Sequence, residues 1–367
     1  MPFDAASPTP RWARATRSRR GMLALGLSSL ALPALAACNR DTGLGGPPQN
    51  ATPRVTPAPG SQDPSASGSP SAPESSSGED EIPVSKDLDK IKVKGKKGTE
   101  PKITVPAPWG IDKTRVKVLD AGDGATVPKG APVTVSYHGV NGRTGETFDS
   151  SWQDGEATPI TFSLDGVVAG FRKGLQGQKV GSRVLIAMPG KDGYDEQGGS
   201  GDGTIMVGDT LIFVVEIEAT LLSGPEGKAV APKDGLPTVE DTKKGPKITI
   251  PKTKAPTKLT HQPLVKGSGP EVAETDTVHL RYRGVVWDSG KVVDDNYGDD
   301  VETTTLGDTL IPGFTKGIIG QTVGSRMLLV IPPKQGYPDG NDEPKVPKDS
   351  TLVYVVDILF AQATQGQ

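Results

Sequence analysis

The chain has 367 residues, 34% of them hydrophobic and 23% charged, a length that accommodates more than one domain of ordinary size. Its net charge of −3 argues against a nucleic-acid surface, and one cysteine with three histidines leaves neither an internal disulfide nor the usual makings of a zinc site.

In chain order, the first segment reads as a targeting signal. A basic stretch, "RWARATRSRRG" (11–21), leads into an uncharged apolar run from Met22 to Ala37 that ends at "LAAC" (35–38). The run is short for a membrane span and is broken by Gly26 and Pro33. "SRRGML" (18–23) is similar to a twin-arginine export signal, and an ordinary secretory route fits nearly as well. "LAAC" resembles a bacterial lipobox, which makes 1–37 a signal peptide and Cys38 the lipidated first residue of the mature chain. An ordinary signal peptide with a nearby cysteine is the alternative. The expected location is the outer face of the bacterial cytoplasmic membrane.

Residues 38–98 are rich in Pro, Ser and Gly and are expected to form a disordered linker, because so few apolar side chains cannot offset the entropy of ordering. The basic run "KIKVKGKK" (90–97) reads as a solvated hinge, with contact to anionic lipid or wall polymer as the alternative.

Beyond the linker the chain repeats itself. "GFRKGLQGQKVGSRVLIAMPGKDGY" (170–194) aligns without a gap with "GFTKGIIGQTVGSRMLLVIPPKQGY" (313–337), an offset of 143 residues. "PKITVP" (101–106) matches "PKITIP" (246–251), "VTVSYHGV" (133–140) matches "VHLRYRGV" (278–285), and "DTLIFVVEI" (209–217) matches "STLVYVVDI" (350–358). The unit is too long for a solenoid repeat and is the size of an independent domain. The copies are set at 99–222 and 245–363, with 223–244 as a polar, Pro/Gly-rich linker that favours independence.

Within the first copy, apolar residues alternate in 115–119, 133–137, 161–164, 183–188 and 210–217, the pattern of antiparallel strands. The exception is 166–181, where Phe171 and Leu175 stand four apart and predict a helix of about two turns stopped by Gly177. The fold class expected is α+β: two tandem domains, each a twisted antiparallel sheet of five to six strands wrapped around one short helix.

These motifs together resemble the FKBP-type peptidyl-prolyl cis-trans isomerases. "VSYHG" (135–139), "GETFDSS" (145–151), "VVAGFRKGLQGQKVG" (167–181), "PGKDGY" (189–194) and "TLIFVVEI" (210–217) stand in the family's order, and the likeness covers 110–222. The resemblance implies a pocket of Tyr137, Phe148, Asp149, Phe162, Val167, Val168, Phe171, Tyr194, Ile205 and Phe213. Within it the phenylalanines would form walls and floor, Asp149 and Tyr194 would supply polar contacts, and the Val168 N–H would donate to a substrate carbonyl. Asp149, in its apolar setting, is expected to be half-buried and hydrogen-bonded. Phe171 stands where many relatives carry Trp, Ile160 where an aromatic is common, and the loop after Tyr194 lacks the usual Ile-Pro, so altered affinity rather than lost chemistry is expected.

The second copy matches more thinly, through Tyr282, Asp294, Ile311, Phe314, Tyr337 and Tyr354. Val293 and Thr304 replace wall aromatics and Glu302 lies near the place of Ile160, which predicts a shallower, wetter pocket with a binding or structural role. The acidic cluster Asp294, Asp295, Asp299, Asp300 and Glu302 fits no standard calcium loop.

The resemblance implies rotation of X-Pro bonds in exported proteins without cofactor or metal. The expected partners are Pro-containing unfolded clients, the membrane through Cys38, and macrolide-type inhibitors, with no nucleic acid and a monomeric chain. A non-catalytic peptide-binding or chaperone module of the cell envelope is the rival.

Overall fold

Strand alternation and one helix per copy are what the chain adopts. The computed structural model describes residues 82–307 and 310–363. The segment read as a signal peptide, Cys38 and the stretch read as linker up to residue 81 lie outside the described residues. No helix among the described residues is long and apolar enough to cross a membrane.

The first copy begins earlier than its sequence predicts. Residues 82–98, assigned above to a disordered linker, are folded: β1 (Lys92–Lys94) pairs with β2 (Lys102–Thr104) as an antiparallel hairpin. Val93 and Ile103 face inward and lie with Leu88, Ile91, Trp109 and Ile111 against Leu185, Ala187, Ile212 and Val214. The lysine-rich run is therefore a strand and not a hinge, because alternation places its few apolar residues on one face.

The main sheet follows. β3 (Arg115–Asp120), β4 (Pro132–Asn141), β5 (Thr147–Ser150), β6 (Ile160–Ser163), β7 (Arg183–Met188) and β8 (Leu211–Thr220) form six antiparallel strands in the order β6-β4-β8-β7-β3, with β5 beside β6 on the outer edge of β4. The predicted helix is α1 (Ala169–Leu175), and Gly177, at φ 81°, ends it in the left-handed conformation. Gly170 lets α1 lie on the sheet: a Cβ there would sit 2.2 Å from Met188 Sδ. The helix-facing side buries Val133, Val135, Leu175, Ile186, Val215 and Ile217, so the sheet is covered on both faces.

The connection to the second copy is likewise no simple linker. β9 (Gly227–Ala229) joins the second sheet, and β10 (Thr238–Thr242) pairs with β11 (Gly245–Thr249) as a hairpin. Leu236, Val239, Ile248 and Ile250 pack on Trp287, Leu328, Val330, Val353 and Val355. This is the counterpart of the β1–β2 hairpin, since "PKITVP" and "PKITIP" supply the second strand in each.

The second sheet contains β12 (Thr260–Gly267), β13 (Thr277–Val286), β14 (Val292–Asp295), β15 (Glu302–Thr305), β16 (Arg326–Ile331) and β17 (Leu352–Gln362), around α2 (Pro312–Ile318). With β9 it has seven strands, one more than expected, ordered β9-β12-β16-β17-β13-β14 with β15 also pairing β13. The extra strand comes from the segment read as linker.

Candidate active site

Register brings the first copy's aromatics together. On the central strands, Tyr137 of β4 and Phe213 of β8 point to the helix side, where Phe171 of α1 meets both, with ring centroids 6.4 and 4.6 Å away. From the edge strands Phe148 stands edge-on to Phe213 at 5.3 Å and Phe162 edge-on to Phe171 at 5.8 Å. Close approach depends on Gly139, beneath the rings, where a Cβ would lie 2.8 Å from both Phe148 and Phe213. Tyr137 and Phe213 are buried, whereas Phe148, Phe162, Val167, Val168, Phe171 and Tyr194 are only partly covered. The result is an apolar surface with a dry floor and open walls.

Asp149 is exposed rather than half-buried: it sits at the rim on β5, and its Oδ2 accepts a 2.6 Å hydrogen bond from Tyr137 Oη. The carboxylate can stay hydrated because β5 is an edge strand. Burial, reinforced by the Asp149 bond, pushes the Tyr137 phenol far above its ordinary value, and burial followed by the Asp149 charge raises Tyr194. Both phenols therefore remain protonated donors at neutral pH.

Two tethers hold the pocket mouth. Arg172 on α1 donates through Nε to Leu164 O and through Nη2 to Val167 O, both at 3.2 Å, fixing the turn that presents Val167 and Val168. No hydrogen bond among the described residues engages the Val168 N–H, which leaves it available to a carbonyl. The second tether is Asp209, absent from the residues named from sequence. Its carboxylate, 1% exposed, accepts from Asn141 Nδ2 (2.7 Å), Arg143 Nε (2.8 Å) and the Met206 N–H (2.8 Å). These bonds clamp the end of the loop after Tyr194, so that Ile205 is buried in the pocket wall and Met206 and Val207 are left exposed. No local pattern marks it in sequence: Asn141 and Arg143 stand where β4 gives way to a turn, Asp209 precedes β8, and only the folded chain brings them together.

The second copy keeps three rings of the arrangement and closes it. Tyr282, Phe314 and Tyr354 meet at 6.1, 6.4 and 5.5 Å, and Asp294 lies near enough for its charge to raise Tyr337 and Tyr354, behind the larger effect of burial. Phe314 and Tyr354 are wholly buried, and Ile311, Tyr337 and Val346 nearly so, where Val168, Phe171 and Tyr194 of the first copy are open. The expected shallower, wetter pocket is instead filled. Leu306, Leu310, Ile311 and Val346 join Phe314 in one continuous core, and Thr304, which stands in place of an aromatic, is itself buried.

Comparison with known proteins agrees with this geometry. The family model for FKBP-type peptidyl-prolyl cis-trans isomerases matches residues 123–218 and 269–359, slightly more than half of the chain. The chain belongs to this family, and its activity is peptidyl-prolyl cis-trans isomerisation. It is 35% identical over 118 residues to a probable FK506-binding protein of Corynebacterium glutamicum, covering 32% of this chain and 96% of the relative. It is 38% identical over 122 residues to the FK506-binding protein of Streptomyces anulatus, covering 33% and 96%. Among solved structures, the three FKBP domains of wheat FKBP73 cover 69% of this chain and 96% of theirs at 19% identity, with a TM-score of 0.29.

Proposed function

We propose that the first copy is the catalytic unit of an exported, lipid-anchored isomerase that assists folding of Pro-containing clients outside the bacterial cytoplasmic membrane. The second copy serves as a structural or binding partner. The observation that carries this division is the contrast between the open aromatic wall around Phe171 and the buried Phe314 at the matching position.

The chemistry needs no nucleophile. Turning an X-Pro bond means breaking amide resonance, a barrier of about 18–20 kcal/mol in a general peptide, and spontaneous X-Pro exchange takes on the order of tens to hundreds of seconds. A proline ring seated on Phe171 and Phe213, between Phe148 and Phe162, places the amide against an apolar surface. That surface is less hospitable to the charge-separated planar form than to the twisted one. The Val168 N–H and the Tyr194 hydroxyl supply donors to carbonyls as the bond rotates. Rate then comes from binding the twisted amide more tightly than the planar one. An FK506-type macrolide would occupy the same wall, as the names of the relatives suggest.

Cys38 as a lipidated residue, with 1–37 removed, rests on "LAAC" and the apolar run before it. The test uses full-length protein in two arms. Asp149→Ala is expected to lower kcat/KM on an X-Pro peptide about tenfold or more while Asp294→Ala leaves it unchanged, and the reverse pattern overturns the assignment. Labelled palmitate incorporated by the wild type and lost in Cys38→Ala supports the anchor, whereas equal labelling of both refutes it.

A further inference from the structure

The β1–β2 hairpin carries a charge pattern that the fold uses only in part, Lys97 donating to Gly181 O and Lys92 to Asp89 O. Between residues 90 and 102 the chain has six lysines against one carboxylate, Glu100, and all six lysines are exposed. Strand register sets Lys94 directly opposite Lys102, with both side chains turned away from the Val93–Ile103 pair that faces the sheet. Like charges placed opposite one another across a ladder are destabilising.

The second hairpin serves as an internal control. There the lysine equivalent to Lys102 is Lys247, whose cross-strand partner is Glu240, with Nζ and Oε2 4.0 Å apart. One copy neutralises this face and the other concentrates positive charge on it. Among the described residues no carboxylate pairs with Lys94 or Lys102.

Beside this face runs an open groove of about 510 Å³. Ile91, Val93 and Leu119 line its apolar part, and Lys92, Lys94 and Lys117 stand around it. Asp89, the carboxylate in the groove, is paired with Lys117, and the Lys92 Nζ donates to the Asp89 carbonyl at 3.0 Å. An apolar bed rimmed by amines suits a ligand with an anionic head and an apolar body.

We propose that this hairpin face and groove dock the first domain on anionic phospholipid, with headgroup phosphates against Lys92, Lys94 and Lys102 and an acyl segment along the partly exposed Val93 and Leu119. Membrane lipid is favoured over a soluble polyanion because a phosphate polymer has no use for the apolar bed. In sequence the hairpin also lies close to the N-terminal end of the described residues, on the side from which the proposed anchor at Cys38 leads into the domain. This last argument rests on the anchor reading; the charge and groove arguments do not.

The experiment separates the two. Full-length Cys38→Ala protein, which cannot be lipidated, is tested for co-sedimentation with vesicles of phosphatidylcholine alone or mixed with phosphatidylglycerol, beside the same protein carrying Lys94→Glu. Binding to the mixed vesicles that weakens with salt is expected, with Lys94→Glu lowering it about 25-fold, since each basic residue near a charged surface contributes about fivefold and the change both removes a cation and adds an anion. The same change recreates the Glu240–Lys247 pairing, so Tm should hold or rise and isomerase activity should be unchanged. Equal binding by the two proteins, equal binding to both vesicle types, or binding to soluble poly(glycerol phosphate) but not to vesicles would each overturn the proposal. Loss of palmitate labelling bears only on the anchor.

Discussion

Asp209 shows how a single buried carboxylate can shape a binding site that it does not line. Burial works to raise its pKa, but the bonds from Arg143, the Met206 N–H and Asn141 outweigh that cost and hold it below the ordinary value of 3.8. A carboxyl whose folded pKa is depressed adds stability that is fully present above its unfolded pKa and is lost as pH falls through the folded one. Asp209→Asn is therefore expected to destabilise the first domain by about 1.5–3 kcal/mol at neutral pH, the range for hydrogen bonds to a charged group. The deficit should shrink as pH drops below 3.8, as denaturant titrations of both proteins at neutral and acid pH would reveal. A constant deficit across that range would mean that the side chain matters for shape alone. The pocket aromatics were legible in sequence because they stand in the motifs that carry the family resemblance, which implied each of them as pocket lining. Asp209 was not, because its role arises from three donors on two other segments, and nothing local to "VGDTL" (207–211) announces them.

At the scale of elements, the two hairpins are fastened by corresponding buried charges. Arg183, 2% exposed, lies 3.3 Å from Glu216 and donates to Gly95 O at 2.7 Å, while Glu216 accepts from the Gly98 N–H. In the second copy Arg326 holds Asp357 at 2.6 Å and reaches Asp241 of the β10–β11 hairpin at 2.5 Å, and Tyr297 also donates to Asp357. The arginines stand in matching "GSR" motifs, opposite Glu216 and Asp357 in register. Removing one partner of such a pair leaves a buried uncompensated charge, whereas replacing both by apolar residues often costs little. Arg183→Met is expected to lose about 3–5 kcal/mol, and Arg183→Met with Glu216→Leu to recover most of it, a comparison that denaturant melts would make directly. Failure of the second change to restore stability would show that the bond to Gly95 matters more than the ion pair. The hairpins escaped the sequence reading for a compositional reason: strands of three or five residues with one inward apolar residue each look like polar linker. The repeat nevertheless held the clue, because "PKITVP" and "PKITIP" fall outside both family-matched segments and yet recur at the domain spacing.

Across the whole molecule, duplication has produced one architecture with two different interiors. Phe171 and Phe314 occupy the same helix position under the same central pair of rings, yet only the first is reachable from solvent. Truncating each should therefore have opposite consequences. Phe171→Ala removes a side chain that is partly exposed, so the stability loss should be smaller than for a wholly buried one, about 1.5–2 kcal/mol. The proline seat is lost with it, and X-Pro exchange catalysed by the full-length protein should fall about tenfold or more. Phe314→Ala empties a closed core, where cavity and transfer costs add to about 3–5 kcal/mol, and it should leave kcat/KM of the folded protein unchanged. Measuring peptide isomerisation and denaturant unfolding on the same two variants gives a crossed outcome if the copies have divided the work. Should Phe314→Ala lower catalysis while the first domain stays folded, the second pocket must open in solution, and the contrast in burial would describe a closed state of a working site.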